Sequence, residues 1–338
     1  MSDNRGIFSL EEFYNLQVSG EITNIFDPFR YLSPASVPAG TDYGYWFGAN
    51  PVSSAIDRLD FSNDTANLTS NTNATYAAFG VAGISGTDYG YFNGGWMSPG
   101  ATTAGNRIDY SSDTGTTPVR GNTTLQRRYH MAVGNSSAGY YVGGYDGNYS
   151  SRSSIDKIDY SSDTTATNPG AKITLYSSGS AGAGNQSYGY YAGGFGISPS
   201  GHRSNVERLD YSSDTSNTSP KGDLTGARYY LAGTSNSDYG WYAGGGPTGK
   251  SDVDRIDYSN DTATASPKGK LSVARFALGG TGNSSYGWFG GNNSTPNRTN
   301  TDRIDYSNDT ATASPKGLFT TTRQAAAAVS SRQNANPL

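Results

Sequence analysis

The chain has 338 residues, of which 45 are glycine, 26 are tyrosine and none is cysteine, and its formal net charge is −4. The absence of cysteine excludes disulfides, thiolate catalysis and metal sites with sulfur ligands. The mild acidity argues against a nucleic-acid partner, because phosphates are bound by clusters of Lys and Arg. No segment is apolar enough to span a bilayer, so membrane insertion is not expected.

The first 40 residues do not share the pattern of the rest of the chain. Ser9-Leu-Glu-Glu12 fits a capping box and predicts a short helix from Leu10 to about Gln17. This arm either packs on its own domain or inserts into a neighbouring protein, since exposed apolar residues favour a partner. Its candidate anchoring side chains are Phe8, Leu10, Phe13, Leu16, Ile22, Ile25, Phe26 and Phe29. The beginning of the chain lacks the apolar core of a secretion signal.

From residue 41 onward, one pattern recurs six times. The aspartate before the string aromatic-Ser-x-Asp-Thr falls at Asp60, Asp109, Asp159, Asp210, Asp257 and Asp305, at intervals of 49, 50, 51, 47 and 48 residues. A period near 50 is long for a helical solenoid and suits a four-stranded propeller blade. Residues 41–331 are therefore predicted to form one all-β ring, followed by a tail over 332–338.

The fifth repeat serves as the template for the four strands of a blade. Strand a is predicted over 228–234, strand b over 239–244, strand c over 253–258 and a weaker strand d over 262–266. The glycine pair after strand b, Gly244-Gly245, is expected to adopt positive φ or to permit close backbone approach.

The first repeat, which begins at Tyr43-Gly-Tyr-Trp-Phe47, lacks a copy of strand a. The segment 323–331, Arg-Gln-Ala-Ala-Ala-Ala-Val-Ser-Ser, aligns with 275–281 and is predicted to supply the missing strand. Such a shared blade closes a ring of six and removes the open sheet edges. Local propensity alone would make Ala325 to Ala328 a helix, and the repeat alignment overrides it.

Three features of the repeat resemble kelch repeats over residues 43–331. These are the Arg of strand a, the aromatic residue before the glycine pair, and the string Val253-Asp-Arg-Ile-Asp-Tyr258. The chain departs from the kelch pattern in strand d, where 263–266 reads Ala-Thr-Ala-Ser instead of containing Trp. The resemblance implies a six-bladed kelch-like propeller.

The amino-acid sequence of the repeats is similar to that of kelch-like virion proteins of tailed phages, notably marine and cyanobacterial ones. This similarity rests on the motifs Tyr-Gly-Tyr/Trp and Asp-Tyr-Ser-x-Asp-Thr-x-Thr, and on the opening string Arg5-Gly-Ile-Phe-Ser-Leu10. This resemblance implies a virion location and a structural role in a tail fibre, baseplate or other appendage. Other virion proteins would then be the partners of residues 1–40.

Two charged positions recur in every repeat. A basic residue stands two before each repeated aspartate, at Arg58, Arg107, Lys157, Arg208, Arg255 and Arg303. A second carboxylate follows, at Asp64, Asp113, Asp163, Asp214, Asp261 and Asp309. Because positions i and i+2 share a face of a strand, Arg255 and Asp257 are predicted to pair as a packing device. The second carboxylates are expected to accept amides of their own turn, with a calcium site as the alternative.

The b–c loops vary between repeats and lie at one end of the predicted ring. Their candidate ligand-facing residues are Trp96, Tyr145, Tyr149, Phe195, His202 and Lys250. Aromatic and amide groups on a rigid scaffold suit carbohydrate stacking or a protein interface, and plain loop tolerance is the alternative. His130 is expected to be a packed strand residue.

The sequence therefore predicts a virion structural protein, with a host glycan-binding module or a capsid decoration protein as alternatives. A glycan hydrolase ranks last, because no pair of carboxylates is singled out from the repeated ones. We expect no enzymatic activity, no cofactor and no metal.

Overall fold

The computed structural model describes residues 42–148, 150–174, 176–197, 200–293 and 299–332. Its main sheets follow one another along the chain, and the innermost strands of neighbouring sheets contact each other round the whole ring. The fold is a six-bladed β-propeller, as the repeats predict. Within each blade the strands are antiparallel neighbours, which we name a to d from the axis outward.

Blade 1 contains Ala327–Val329, Tyr43–Phe47, Ser53–Asp60 and Thr69–Ala78, and Gly115–Thr116 pairs in parallel with the last of these. Blade 2 contains Ala82–Ser85, Tyr89–Asn93 and Gly105–Asp109, with a bridge from Asn106 to Val119 at the position of strand d. Blade 3 contains Met131–Gly134, Ala138–Val142, Ser154–Asp159 and Thr164–Lys172.

Blade 4 contains Ala181–Gly184, Tyr188–Ala192, Val206–Asp210 and Ser219–Pro220. Blade 5 contains Ala232–Ser235, Tyr239–Ala243, Val253–Asp257 and Ser266–Pro267. Blade 6 contains Gly279–Gly282, Tyr286–Gly290, Asn300–Asp305 and Ser314–Leu318. Two b–c loops form small hairpins, Trp96–Met97 with Gly100–Ala101 and Phe195–Ile197 with Ser200–His202. Short 3-10 helices follow strand c at Phe61–Asn63, Tyr211–Ser213, Tyr258–Asn260 and Tyr306–Asn308.

The predicted bounds of strands a and d in blade 5 are wrong. Strand a begins at Ala232 and not at Arg228, because Tyr230 has φ 54° and breaks the extended conformation. Strand d spans Ser266–Pro267 and not 262–266, since the chain first makes the 3-10 turn after strand c. The expected conformation of the glycine pair is confirmed, with φ 70° at Gly244 and 107° at Gly245.

Closure of the ring by the end of the chain is confirmed. Tyr45 pairs with Val329 and Phe47 pairs with Ala327, so the last strand becomes strand a of blade 1. It is shorter than the predicted segment 323–331 because Ala325 also has positive φ, at 51°. The helix predicted near residue 10 and the boundary at residue 40 lie outside the described residues and stay predictions.

Neighbouring blades are joined by stacked aromatic rings. In each interface a ring from strand b of one blade stacks on the aromatic residue that follows strand c in the next blade. The six pairs are Tyr45–Tyr110, Tyr91–Tyr160, Tyr140–Tyr211, Tyr190–Tyr258, Trp241–Tyr306 and Trp288–Phe61, with ring centroids 3.8 to 5.6 Å apart. Burial of these faces supplies the apolar contact between blades.

The repeated charged residues also join neighbouring blades, but not in the predicted pairs. The Arg255 guanidinium contacts Asp309 of the next blade at 3.0 Å, whereas Asp257 accepts the amide of Ser259 at 2.9 Å and caps the 3-10 helix. The other pairs, at 2.5 to 2.9 Å, are Arg58–Asp113, Arg107–Asp163, Lys157–Asp214, Arg208–Asp261 and Arg303–Asp64. The first carboxylate of each repeat therefore caps its own turn, and the second binds the preceding blade.

Each second carboxylate also accepts a hydrogen bond from the strand-b aromatic residue of the preceding blade. Tyr190 Oη donates to Asp261 at 2.9 Å, and Trp241 Nε1 donates to Asp309 at 2.9 Å. Burial, and next the hydrogen bond to Asp261, raise the pKa of Tyr190, so its hydroxyl remains a donor. Within the described segments, no three His, Asp or Glu side chains come together as they would around a metal ion.

Four blades contain a fully buried ion pair between the Arg before strand a and an Asp of strand c. The pairs are Arg127–Asp156, Arg228–Asp254, Arg275–Asp302 and Arg323–Asp57, with N–O distances of 2.6 to 3.3 Å. Blades 2 and 4 have Ala78 and Ser177 in place of the Arg, and there the carboxylate position holds Asn106 and Glu207. The two positions thus change together within the chain.

Candidate binding site at the channel mouth

Six equivalent residues circle the central channel where strands a begin. Their φ angles are all left-handed: Gly80 67°, Tyr129 52°, Gly179 63°, Tyr230 54°, Ala277 58° and Ala325 51°. Each donates its backbone N–H to the carbonyl of the equivalent residue in the preceding blade, at 2.6 to 2.8 Å. The result is a closed ring of hydrogen bonds, which offsets the cost of the left-handed conformation at the four positions that are not glycine.

These six residues, which we call the mouth ring, carry side chains of different size around the channel. Tyr129 lies over Gly80 and Tyr230 lies over Gly179, since a methyl group at either glycine would come within 3.0 Å of the tyrosine ring. The remaining pair is Ala277 and Ala325, which carry only methyl groups. Among the described residues of the ring, one side of the mouth is therefore aromatic and the other carries only methyl groups.

A recess of about 370 Å³, including space open to solvent, lies at this mouth. It is lined by the six ring residues and by the residue that follows each of them in the chain. The lining contains no Asp, Glu, Lys or Arg. The recess is thus a small uncharged site at the axis of the propeller.

His130 is one of the lining residues and lies one position before strand a of blade 3. It is 4% exposed and stands where blades 5 and 6 have Leu231 and Leu278. Burial, and next the nearby charge of Arg127, lower the pKa of His130 to about 3. The imidazole is therefore neutral at pH 7. Its burial confirms that His130 is packed, but the prediction that it belongs to the strand is wrong, since the strand begins at Met131.

A row of aromatic side chains leads from the b–c hairpin of blade 4 to the mouth. His202 stacks on Tyr229 with centroids 4.8 Å apart, and Phe195 lies 5.9 Å from Tyr229. Tyr229 contacts Tyr230 at 4.6 Å, and Tyr230 contacts Tyr129 at 4.8 Å. His202 is exposed and the tyrosines are half-buried, so part of the row is accessible to solvent.

The other predicted loop residues lie at the same end of the propeller, and Trp96 borders the row through Arg128, whose guanidinium also lies 5.8 Å from the centre of the Tyr129 ring. The guanidinium of Arg128 lies 4.5 Å from the centre of the Trp96 ring. Tyr145 forms a backbone bridge with Arg128, and Lys250 forms one with Arg275 in blade 6. Tyr149 lies outside the described residues. The structure thus brings together Phe195 and His202, and it separates them from Lys250.

Sequence reasoning missed the three tyrosines of the row because it placed them in strand a. Their signal was a difference between repeats. Arg127-Arg-Tyr-His130 and Arg228-Tyr-Tyr-Leu231 carry tyrosines where the last two repeats read Arg275-Phe-Ala-Leu278 and Arg323-Gln-Ala-Ala326.

Comparison with known proteins supports the fold and does not identify a function. No protein-family model matches the chain, and no curated protein matches it. Among solved structures, the chain is similar to that of YjhT, with 12% sequence identity over 76% of this chain and 88% of the other and a TM-score of 0.61. At this identity the likeness shows a shared fold alone. In the described part of the chain, no helix is both long and apolar enough to cross a membrane.

Proposed function

We propose that this protein is a structural component of a tailed-phage virion, part of a tail fibre, baseplate or other appendage. Residues 1–40 attach it to other virion proteins, and the propeller is displayed. The supporting observation is that the ring closes on itself through the pairing of Tyr43–Phe47 with Ala327–Val329, so the displayed domain needs no neighbour to complete its core. The similarity of the repeat sequences to those of kelch-like virion proteins supports the proposed phage origin.

Attachment through the arm predicts that phage carrying a deletion of residues 2–40 assembles particles without this protein. Quantitative mass spectrometry of purified particles measures its copy number. A deletion of residues 333–338 is the matched control, because it removes terminal residues without touching the arm. Equal incorporation of the arm-deleted protein would contradict the anchoring role.

Contact with host-surface carbohydrate, without hydrolysis, is a second proposed function, and the aromatic row favours it. Half-buried tyrosine faces stack well on the C–H faces of sugar rings, and the neighbouring peptide groups supply hydrogen bonds. The inner Asp residues of strands c and the second carboxylates of the c–d turns are paired with Arg or Lys, as Asp254 and Asp309 show, whereas Glu207 of blade 4 accepts hydrogen bonds from Thr174. These contacts do not suit the acid and base roles that a glycosidase needs.

The row predicts that Tyr229→Ala combined with His202→Ala weakens binding of the protein to host polysaccharide about tenfold, which corresponds to about 1.4 kcal/mol. The control is Tyr239→Ala, which removes an aromatic ring from the start of strand b at the opposite end of the propeller. Biolayer interferometry with purified host lipopolysaccharide or capsule measures the effect. Unchanged binding by the row variant would contradict the proposed surface.

A further inference from the structure

We propose that the recess at the channel mouth is a subsite for the terminal residue of a carbohydrate chain, and that this residue is a neutral sugar. The inference rests on the carbohydrate-binding function proposed above. The recess lies where the aromatic row ends, since Tyr230 belongs both to the row and to the lining. A chain stacked along the row therefore reaches the recess with its end.

The opening exists because the mouth ring has two Gly–Tyr pairs and one Ala–Ala pair. On blades 3 and 5 the rings of Tyr129 and Tyr230 form an aromatic wall. On blades 6 and 1 the ring positions that line the recess carry only the methyl groups of Ala277 and Ala325. A third tyrosine at Ala325 would fill it, so the small side chains of this pair create the recess.

Below the recess the channel continues as a space of about 470 Å³, including space open to solvent, which is lined by the inner strands. A methyl group on Gly182 would lie 2.2 Å from the carbonyl oxygen of Ala132, and one on Gly233 would lie 2.3 Å from that of Gly182. The inner strands therefore pack backbone against backbone just inside the mouth. The end of a chain that follows the aromatic row meets the recess first, at the mouth of this channel.

The lining selects a neutral sugar by its chemistry. The residues that line the recess include no Arg or Lys, and His130 stays neutral because burial lowers its pKa to about 3. The carboxylate of a uronate or sialate in the recess would have no cationic side chain of the lining to pair with, so its desolvation would cost much free energy. Sugar hydroxyls find acceptors in the ring carbonyls, each of which accepts one hydrogen bond within the ring and has a second lone pair.

The test is a binding panel of oligosaccharides that end in glucose, galactose, mannose or glucuronate, measured by isothermal titration calorimetry on the full-length protein. The blocking variant is Ala277→Gly with Ala325→Tyr, which copies the two Gly–Tyr pairs already present in the ring. The control is Ala277→Gly alone, which leaves the recess open. A second variant, Tyr230→Ala, removes part of the wall without filling the space. Thermal unfolding verifies that each variant folds.

We expect the wild-type protein to bind at least one oligosaccharide with a neutral end, and to bind the glucuronate-ended one at least tenfold more weakly. The blocking variant and Tyr230→Ala should each lose at least tenfold in affinity, while Ala277→Gly should not. Wild-type affinity in the blocking variant would overturn the subsite, and the row would still stand if Tyr229→Ala weakened binding. Equal binding of the glucuronate end would overturn the preference for a neutral sugar. Absence of all binding by the wild-type protein would overturn the subsite and the carbohydrate function together.

Discussion

Replacing Arg323 with alanine is expected to lower the free energy of unfolding by about 3 to 5 kcal/mol, the usual cost of breaking a buried ion pair by removing one partner. Arg323 and Asp57 are both fully buried, and the guanidinium Nε donates to the carboxylate at 3.0 Å. The substitution leaves the Asp57 charge without its cation inside blade 1. It also weakens the closure of the ring, because Arg323 belongs to the terminal segment and Asp57 to the first repeat.

The matched control for this effect is Arg120→Ala. Arg120 also faces an aspartate, Asp163 at 3.7 Å, but its side chain is 53% exposed. An exposed pair of this kind contributes about 0 to 1 kcal/mol. Urea unfolding followed by tyrosine and tryptophan fluorescence compares the two variants. Similar stability of Arg323→Ala and Arg120→Ala would contradict a stabilising role for the buried pair in closure.

Gly269→Ala is expected to destabilise the propeller by about 3 kcal/mol, through overpacking at a blade interface. A methyl group at this position would lie 1.8 Å from the carbonyl oxygen of Ala311 in the next blade. The backbone of Gly269 donates to Asp309 O at 2.7 Å, and Lys268 contacts the Asp309 carboxylate at 3.4 Å. The Pro-Lys-Gly string therefore joins neighbouring blades: its Lys pairs with the Asp of the next c–d turn, and its Gly allows the backbone of that turn to approach closely.

Gly100→Ala provides the control for a glycine substitution in this chain. An added methyl group at Gly100, in the hairpin after strand b of blade 2, would meet no atom within 4 Å. This variant should keep the wild-type thermal midpoint, whereas Gly269→Ala should lose several degrees. Equal midpoints in differential scanning calorimetry would show that the interface at Gly269 relaxes freely, contrary to the close packing described.

The architecture was predictable because the repeat is a global signal. A period near 50 set the number of strands per blade, and the unmatched segment at the end of the chain revealed the closure. The partners across the blade interfaces were not predictable in the same way. Spacing within one strand suggested Arg255 with Asp257, but the nearest carboxylate in space comes from the turn of the next blade, Asp309.

The candidate site was predictable only in part, for a related reason. Variable loops pointed to Phe195 and His202, which the structure places in one aromatic cluster. Tyr129 and Tyr230 were assigned to strand a, because nothing in their own sequence marks a left-handed residue. Their conformation follows from the ring of hydrogen bonds between blades, which appears only when all six repeats are assembled.

Immunogold imaging of purified phage particles, with serum raised against residues 43–331, tests the proposed virion role most directly. The account predicts gold label on intact particles, concentrated at the tail. Label on the head would make the propeller a capsid decoration and would contradict the appendage assignment. Particles without label would contradict the virion role altogether.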